Sequence, residues 1–155
     1  ITDINTGTLK TIRKLSMQIS ARNQISGIVE LIEHGKINAQ VFIKLKSGNT
    51  LVSVITNTAA NNLNLEIGDD VVAIFKSSTV LITTDMALNI SARNKFYGIV
   101  DSINQDEINT ELVIDIGNSE KIASIITSSS AERLKIEKGS QVSAIIKASD
   151  VIIGK

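Results

Sequence analysis

The sequence contains no cysteine, no proline and no tryptophan, and its 155 residues include one histidine, three phenylalanines and one tyrosine. Without cysteine the chain can form neither a disulfide framework nor a thiolate metal site, so a reducing compartment is permitted and the cytoplasm is the expected location. Sixteen basic and sixteen acidic residues cancel, and neither half is strongly basic. That balance argues against nucleic-acid contact by this segment, because phosphate binding needs concentrated Lys and Arg. No apolar run approaches the roughly 18 to 20 residues of a membrane-spanning helix, and the N-terminus has no signal-peptide pattern. His34, the one imidazole, is expected in a solvated turn beside Glu33. No nucleophile and base can be assembled, and Glu30, Glu33 and Asp101 form no repeated acid/base pair, so no enzyme is expected.

What the chain has instead is an internal copy. Residues 19–83 align with 90–154 at a constant offset of 71 without a gap, and 26 of the 65 paired positions are identical. The identities fall in blocks, Ile-Ser-Ala-Arg-Asn at 19–23 and 90–94, Ile-Thr at 55–56 and 126–127, and Ala-Ile at 73–74 and 144–145. Lys76 answers to Lys147. A core needs only similar apolar residues, so identical Ser, Arg, Thr and Lys point to two similar sites. The expected organisation is an N-terminal extension or linker helix at 1–16, a first repeat at 17–84 and a second at 85–155. Each repeat is near the lower size limit for independent stability, and the linker at 84–89 is short, so the two should pack together.

Ile, Val, Leu and Ala supply most of the apolar content, and the β-branched excess favours strands. Ile37, Ala39, Val41, Ile43 and Leu45 alternate with polar residues as a half-buried strand requires, and Ser47-Gly48-Asn49 reads as a hairpin turn. Thr56 is placed to cap a short helix running through Leu63, with Leu63, Leu65 and Ile67 expected in the core at its end. Strands at 71–76 and 80–82 close the first unit, and the second runs in register. The fold class is therefore all-β, two tandem five-stranded OB-like barrels with one short helix each. Leu9, Ile12, Arg13 and Leu15 behind Thr6 suggest a short amphipathic helix ahead of them. Because the chain begins at Ile1, it is expected to be a piece of a longer protein or a trimmed one.

The repeated polar residues suit an oxyanion. Arg22 and Lys76 are fixed positive charges, Thr56 offers a hydroxyl, and the helix starting there exposes backbone N–H groups. The second copy offers Arg93, Lys147, Thr127 and Ser130. A fully deprotonated dianion wants donors alone. Asp150, three residues beyond Lys147, would repel it and is expected to point away.

Ser20-Ala21-Arg22-Asn23 with Gly27, then Ile37-Asn38-Ala39 and Val41, Ile55-Thr56, and Lys76 before Val80 resemble the molybdate-binding Mop domain. Ser91-Ala92-Arg93-Asn94 with Gly98, Thr127, Ser130 and Ile146-Lys147-Ala148-Ser149 match that pattern again. The resemblance implies Mop/TOBE-type barrels that bind molybdate or tungstate at interfaces between the subunits of a homo-oligomer. Carried over by position, one ligand set is Ser20, Arg22, Thr56, Lys76 and the backbone near Ser77. The other is Ser91, Arg93, Thr127, Ser130, Lys147 and Ala148. Where the second repeat has Ser130 the first has Ala59, so that site loses a hydroxyl or recruits Thr58. The resemblance further implies the effector region of a molybdate-responsive transcription regulator whose DNA-binding half is absent. The alternative is a stand-alone molybdenum storage protein. An OB-like oligonucleotide-binding module is a second alternative, which would need Phe42, Phe75, Phe96 and Tyr97 as a stacking platform.

Overall fold

A computed structural model describes residues 18–155. The helix expected between Leu9 and Leu15 lies outside these residues. The first repeat supplies β1 (Asn23–His34), β2 (Asn38–Leu45), β3 (Thr50–Thr56), helix α1 (Asn57–Asn62), β4 (Asp70–Phe75) and β5 (Leu81–Thr83). The second supplies β6 (Asn94–Gln105), β7 (Asn109–Asp115), β8 (Lys121–Thr127), helix α2 (Ser128–Arg133), β9 (Gln141–Ile146) and β10 (Ile152–Gly154). All-β architecture with one short helix per repeat follows from the alternation: on β2, Ala39, Val41, Ile43 and Leu45 are buried while Lys44 faces outward. Ile37 is a correction. It precedes the strand in a bend, where its carbonyl accepts from Asn57 N–H, and it is 73% exposed, as its counterpart Ile108 is at 74%.

The two five-stranded sheets do not follow the repeat boundary. Their strand orders are β10-β4-β1-β2-β3 and β5-β9-β6-β7-β8, so each repeat sends its last strand into the other's sheet. The expected closure of each barrel by its own final strand is thereby corrected. Ile152, Ile153 and Gly154 pair with Ile74, Ala73 and Val72, and Leu81, Ile82 and Thr83 pair with Ile145, Ala144 and Ser143. The crossing begins at the 3-10 turns that follow Lys76 and Lys147, at Ser77–Thr79 and Ala148–Asp150. Each turn lies against the third strand of the opposite repeat, the second against β3 and the first against β8. There Ser53 Oγ donates to Val151 O at 2.7 Å and Ser124 Oγ to Val80 O at 2.8 Å, both buried.

Burial follows the exchange. Ile25, Val29, Val41, Leu51, Val71 and Phe75 of the first repeat and Phe96, Val100, Leu112, Ile122, Val142 and Ile146 of the second belong to one apolar cluster. Leu63 and Leu65 pack against it, but Ile67 is 65% exposed and lies outside the core expected at the helix end. The long strands β1 and β6 serve both neighbours by bulging between Val29 and Leu31 and between Val100 and Ser102. Gly98 permits the close approach of β6 to β7. A Cβ there would stand 2.5 Å from Asp115 O and 2.6 Å from Ile114 Cγ2. His34 is the last residue of β1 rather than a turn residue, with Nδ1 2.9 Å from Asn57 Oδ1.

Strand exchange makes a directional prediction. Deleting residues 151–155 removes β10, which belongs to the second repeat in sequence and to the first in space. Amide hydrogen exchange should then accelerate most along β4, at Val72 to Ile74, while β9 keeps its β5 and β6 partners and stays protected. Loss of protection confined to β9 would contradict the exchanged topology.

Candidate functional site

The Ser-Ala-Arg-Asn blocks lead directly into β1 and β6, and their asparagines do something their polar character did not advertise. Asn23 is 3% exposed and Asn94 1%. Asn23 donates from Nδ2 to Ala123 O at 2.9 Å and accepts from Ala123 N at 2.8 Å. Asn94 makes the same two bonds to Val52, each 2.8 Å. An amide side chain thus replaces a strand partner for one residue of β8 or β3, satisfying a buried N–H and C=O across the repeats. Because Arg22 and Arg93 immediately precede these asparagines, the latch holds each Arg against the opposite repeat.

In the second set, Ser91, Ala92, Arg93, Lys147, Ala148 and Ser149 share the wall of one depression of about 350 Å3 with Val54, Leu81 and Ile90. It contains two fixed positive charges, two serine hydroxyls and no carboxylate. Asp150 is not part of this wall. Arg93 is exposed and donates from Nη1 to Gln40 Oε1 at 2.6 Å. Gln40 pairs across the strands with Val54, so the Arg and Lys come from one repeat and the facing β2–β3 surface from the other.

In the first set, Ser20, Arg22 and Lys76 are exposed and Ser77 is buried at the start of its 3-10 turn. Arg22 occupies the symmetric place, but its partner is Glu111, the residue 71 positions beyond Gln40. Two hydrogen bonds join them, Nη1 to Oε2 at 2.7 Å and Nη2 to Oε1 at 3.2 Å. The hydrogen bond from Arg22 holds the Glu111 carboxyl below its ordinary range against the opposing effect of partial desolvation. Glu111 also borders a depression with Asp106 and Ile125. Sequence reasoning missed Gln40 and Glu111 because they lie in the repeat opposite to the arginine each one meets. The constant 71-residue offset carried the only signal, a neutral residue matched to an acidic one.

Thr56 and Thr127 are exposed and cap α1 and α2, accepting from Ala59 N at 3.0 Å and Ser130 N at 3.2 Å. Thr127 Oγ1 also donates to Ser130 Oγ at 2.8 Å, a bond that Ala59 cannot reproduce. Both helices are six residues long, with the first amide of each bonded to Ile37 O or Ile108 O and the third to its cap, so Arg and Lys supply the full positive charges available to an anion. Thr56 and Thr127 end the strands that face the opposite repeat's Arg and Lys, whereas the sequence reading grouped each with its own. Thr58 is exposed in the first turn of α1. Phe75 and Phe96 are buried, which removes two of the four aromatics an oligonucleotide platform would have used. No helix among the described residues is long and apolar enough to cross a membrane.

The latch is directly testable. Asn23→Ala or Asn94→Ala leaves one buried N–H and one buried C=O unpaired, at about 1–3 kcal/mol for each group. Urea unfolding should show a loss of roughly 2 kcal/mol or more for each variant, against a near-zero effect for alanine at exposed Asn104.

The TOBE domain family matches twice, at residues 19–82 and 90–153. The chain is 35% identical over 144 residues to the molybdenum transport protein ModE of Azotobacter vinelandii, covering 93% of this chain and 53% of that one. It is 36% identical over 146 residues to the molybdenum-pterin-binding protein MopA of Rhodobacter capsulatus, covering 94% and 55%. It therefore spans about half the length of these curated relatives. Among solved structures, the cytoplasmic molybdate-binding protein ModG, in a form with molybdate bound, superimposes with a TM-score of 0.85 at 38% identity, covering 89% of this chain and 99% of that one. With both family matches falling on the two halves of the duplication, the chain belongs to the TOBE domain family and carries two copies in tandem.

Proposed function

We propose that the chain binds molybdate or tungstate as an intact oxyanion. The observation that carries this reading is the depression in which Ser91, Arg93, Lys147 and Ser149 converge without a carboxylate. Tetrahedral dianions lacking a proton can use only donors, and one Arg plus one Lys matches the charge of two. Hydrogen phosphate carries a proton at neutral pH, and this wall offers it no carboxylate as a strong acceptor. The description of ModG as molybdate-binding supports the same ligand.

Sites shared between subunits of a homo-oligomer complete the proposal. Leu81 and Ile90, 54% and 42% exposed, border the charged residues on one side. Their repeat counterparts Ile152 and Ile19 are exposed at 58% and 45%, so both repeats present apolar surface that a second chain would cover. In this reading Thr127 with Ser130, and Thr56 with Thr58, supply further hydroxyls, and Ser77 and Ala148 supply backbone amides.

The biological setting favoured here is the effector region of a molybdate-responsive regulator, located in the cytoplasm and without catalytic activity. Coverage of about half of ModE supports it. Coverage of nearly all of ModG favours the second reading, a stand-alone molybdate-binding or storage protein. Whether a DNA-binding region is encoded in frame ahead of Ile1 decides between them. In either setting this segment alone should give no shift in a DNA gel assay.

Calorimetric titration with molybdate, tungstate, sulfate and phosphate tests the ligand. The first two should bind, and a hundredfold excess of free ligand over Kd should add about 2.7 kcal/mol to apparent stability. Arg93→Ala and Lys147→Ala should each weaken molybdate binding about tenfold or more, the loss of one charge-assisted contact. Their ligand-free melting points should hardly move, since both side chains are exposed. Parent-like binding in both variants would remove the site assignment.

A further inference from the structure

We infer that the position occupied by Gln40 in one repeat and Glu111 in the other sets an affinity difference between the two oxyanion sites, with Glu111 acting as a built-in competitor for Arg22. The inference rests on the oxyanion reading above and concerns the regulation of that same pair of sites. Both residues are half-buried on the second strand of their repeat and face the arginine of the opposite repeat. Backbone surroundings are matched, because Gln40 pairs with Val54 as Glu111 pairs with Ile125. What differs is the charge.

Glu111 takes both terminal nitrogens of Arg22, at 2.7 and 3.2 Å, and these are the donors a tetrahedral oxyanion would use. Gln40 takes one nitrogen of Arg93 and remains neutral. Arg22, Lys76 and Glu111 sum to a formal +1, whereas Arg93, Lys147 and Gln40 sum to +2. A dianion arriving at Arg22 must displace a carboxylate that then remains nearby as a like charge. At Arg93 it displaces an amide whose Nε2 can rotate to donate to the incoming oxygen. Among the neighbours, Asp106 beside Glu111 has Gly35 as its counterpart, while Glu33 paired with Gln40 has Asn104 as its own, so each site has one further carboxylate nearby and the asymmetry rests on Gln40 and Glu111. Anion should therefore fill the Arg93 and Lys147 site first and the Arg22 and Lys76 site only at higher concentration. Glu111 and Gln40 are positioning residues here, acting on the ligand through the arginine each one holds.

The experiment is molybdate calorimetry on the whole chain, comparing the parent with Glu111→Gln, Gln40→Glu and the double exchange. The parent should show two classes of site, the tighter weakened about tenfold or more by Arg93→Ala and the weaker by Arg22→Ala. Glu111→Gln should tighten the weaker class by about tenfold, the equivalent of one charge-assisted contact. Gln40→Glu should weaken the tighter class by a similar factor, and the double exchange should reverse the order of filling. Melting points without ligand should stay close to the parent's, because an exposed ion pair adds little to stability. Two equal classes in the parent, or unchanged affinities in both single variants, would overturn the inference while leaving molybdate binding intact. A parent that binds no molybdate would overturn the functional reading as well, so the two failures are distinguishable.

Discussion

Two buried asparagine side chains hold the architecture and the candidate sites in one arrangement. Asn23 and Asn94 each give both ends of an amide to a single residue of the opposite repeat, Ala123 or Val52. A buried backbone N–H and C=O that lost such a partner would be left dry, so the bonds specify how the repeats meet and do more than add attraction. The serine bonds from Ser53 and Ser124 repeat the same economy, fastening the chain where it crosses from one sheet into the other. Each contact has a twin 71 residues away, which is the signature of an isologous interface built within one chain.

The candidate sites follow from where the latch puts its neighbours. Arg22 and Arg93 adjoin the asparagines in sequence, so docking the asparagine onto the opposite repeat also delivers a guanidinium there. The 3-10 turns after Lys76 and Lys147 rest against the same opposite strands, β8 and β3. A cationic pair from one repeat and a wall from the other is thus a consequence of the strand exchange. This also explains why the two sites can diverge without damage to the core. The facing residue, Gln40 or Glu111, sits on a strand's outer side, where charge is free to vary.

The duplication lets one repeat serve as a control for the other. Shared residues do shared work, and the differing ones stand where the surroundings tolerate them. Ala59 in place of a serine leaves the Thr56 cap with its backbone bond alone, while Thr127 and Ser130 also join their hydroxyls. One charge difference is buried, Glu120 in place of Asn49, where it accepts from Ser47 N, and others lie on the surface: Asp101, Asp115 and Lys121 form a small ion-pair cluster in the second repeat, where the first has Glu30, Lys44 and Thr50.

By itself the amino-acid sequence determined the repeat, the β class, the short capped helices and the residue types suited to an oxyanion. Period-two burial, helix capping and a constant offset are local or purely one-dimensional signals, and such signals survive without knowledge of the fold. Ile37 and Ile67 show where pattern alone misleads, since each continues an apolar run but falls at a bend or loop, where its side chain is left in solvent. Only the tertiary structure decided which repeat each final strand completes, that the motif asparagines are buried latches, and that Arg22 faces a carboxylate while Arg93 faces an amide. Those facts depend on contacts between residues some 40 to 100 positions apart, from Asn94 with Val52 to Asn23 with Ala123. Two similar hydrophobic patterns do not say whether a strand pairs within its repeat or across to the other, and the exchanged arrangement is marked by directional hydrogen bonds across the interface that a linear pattern does not encode.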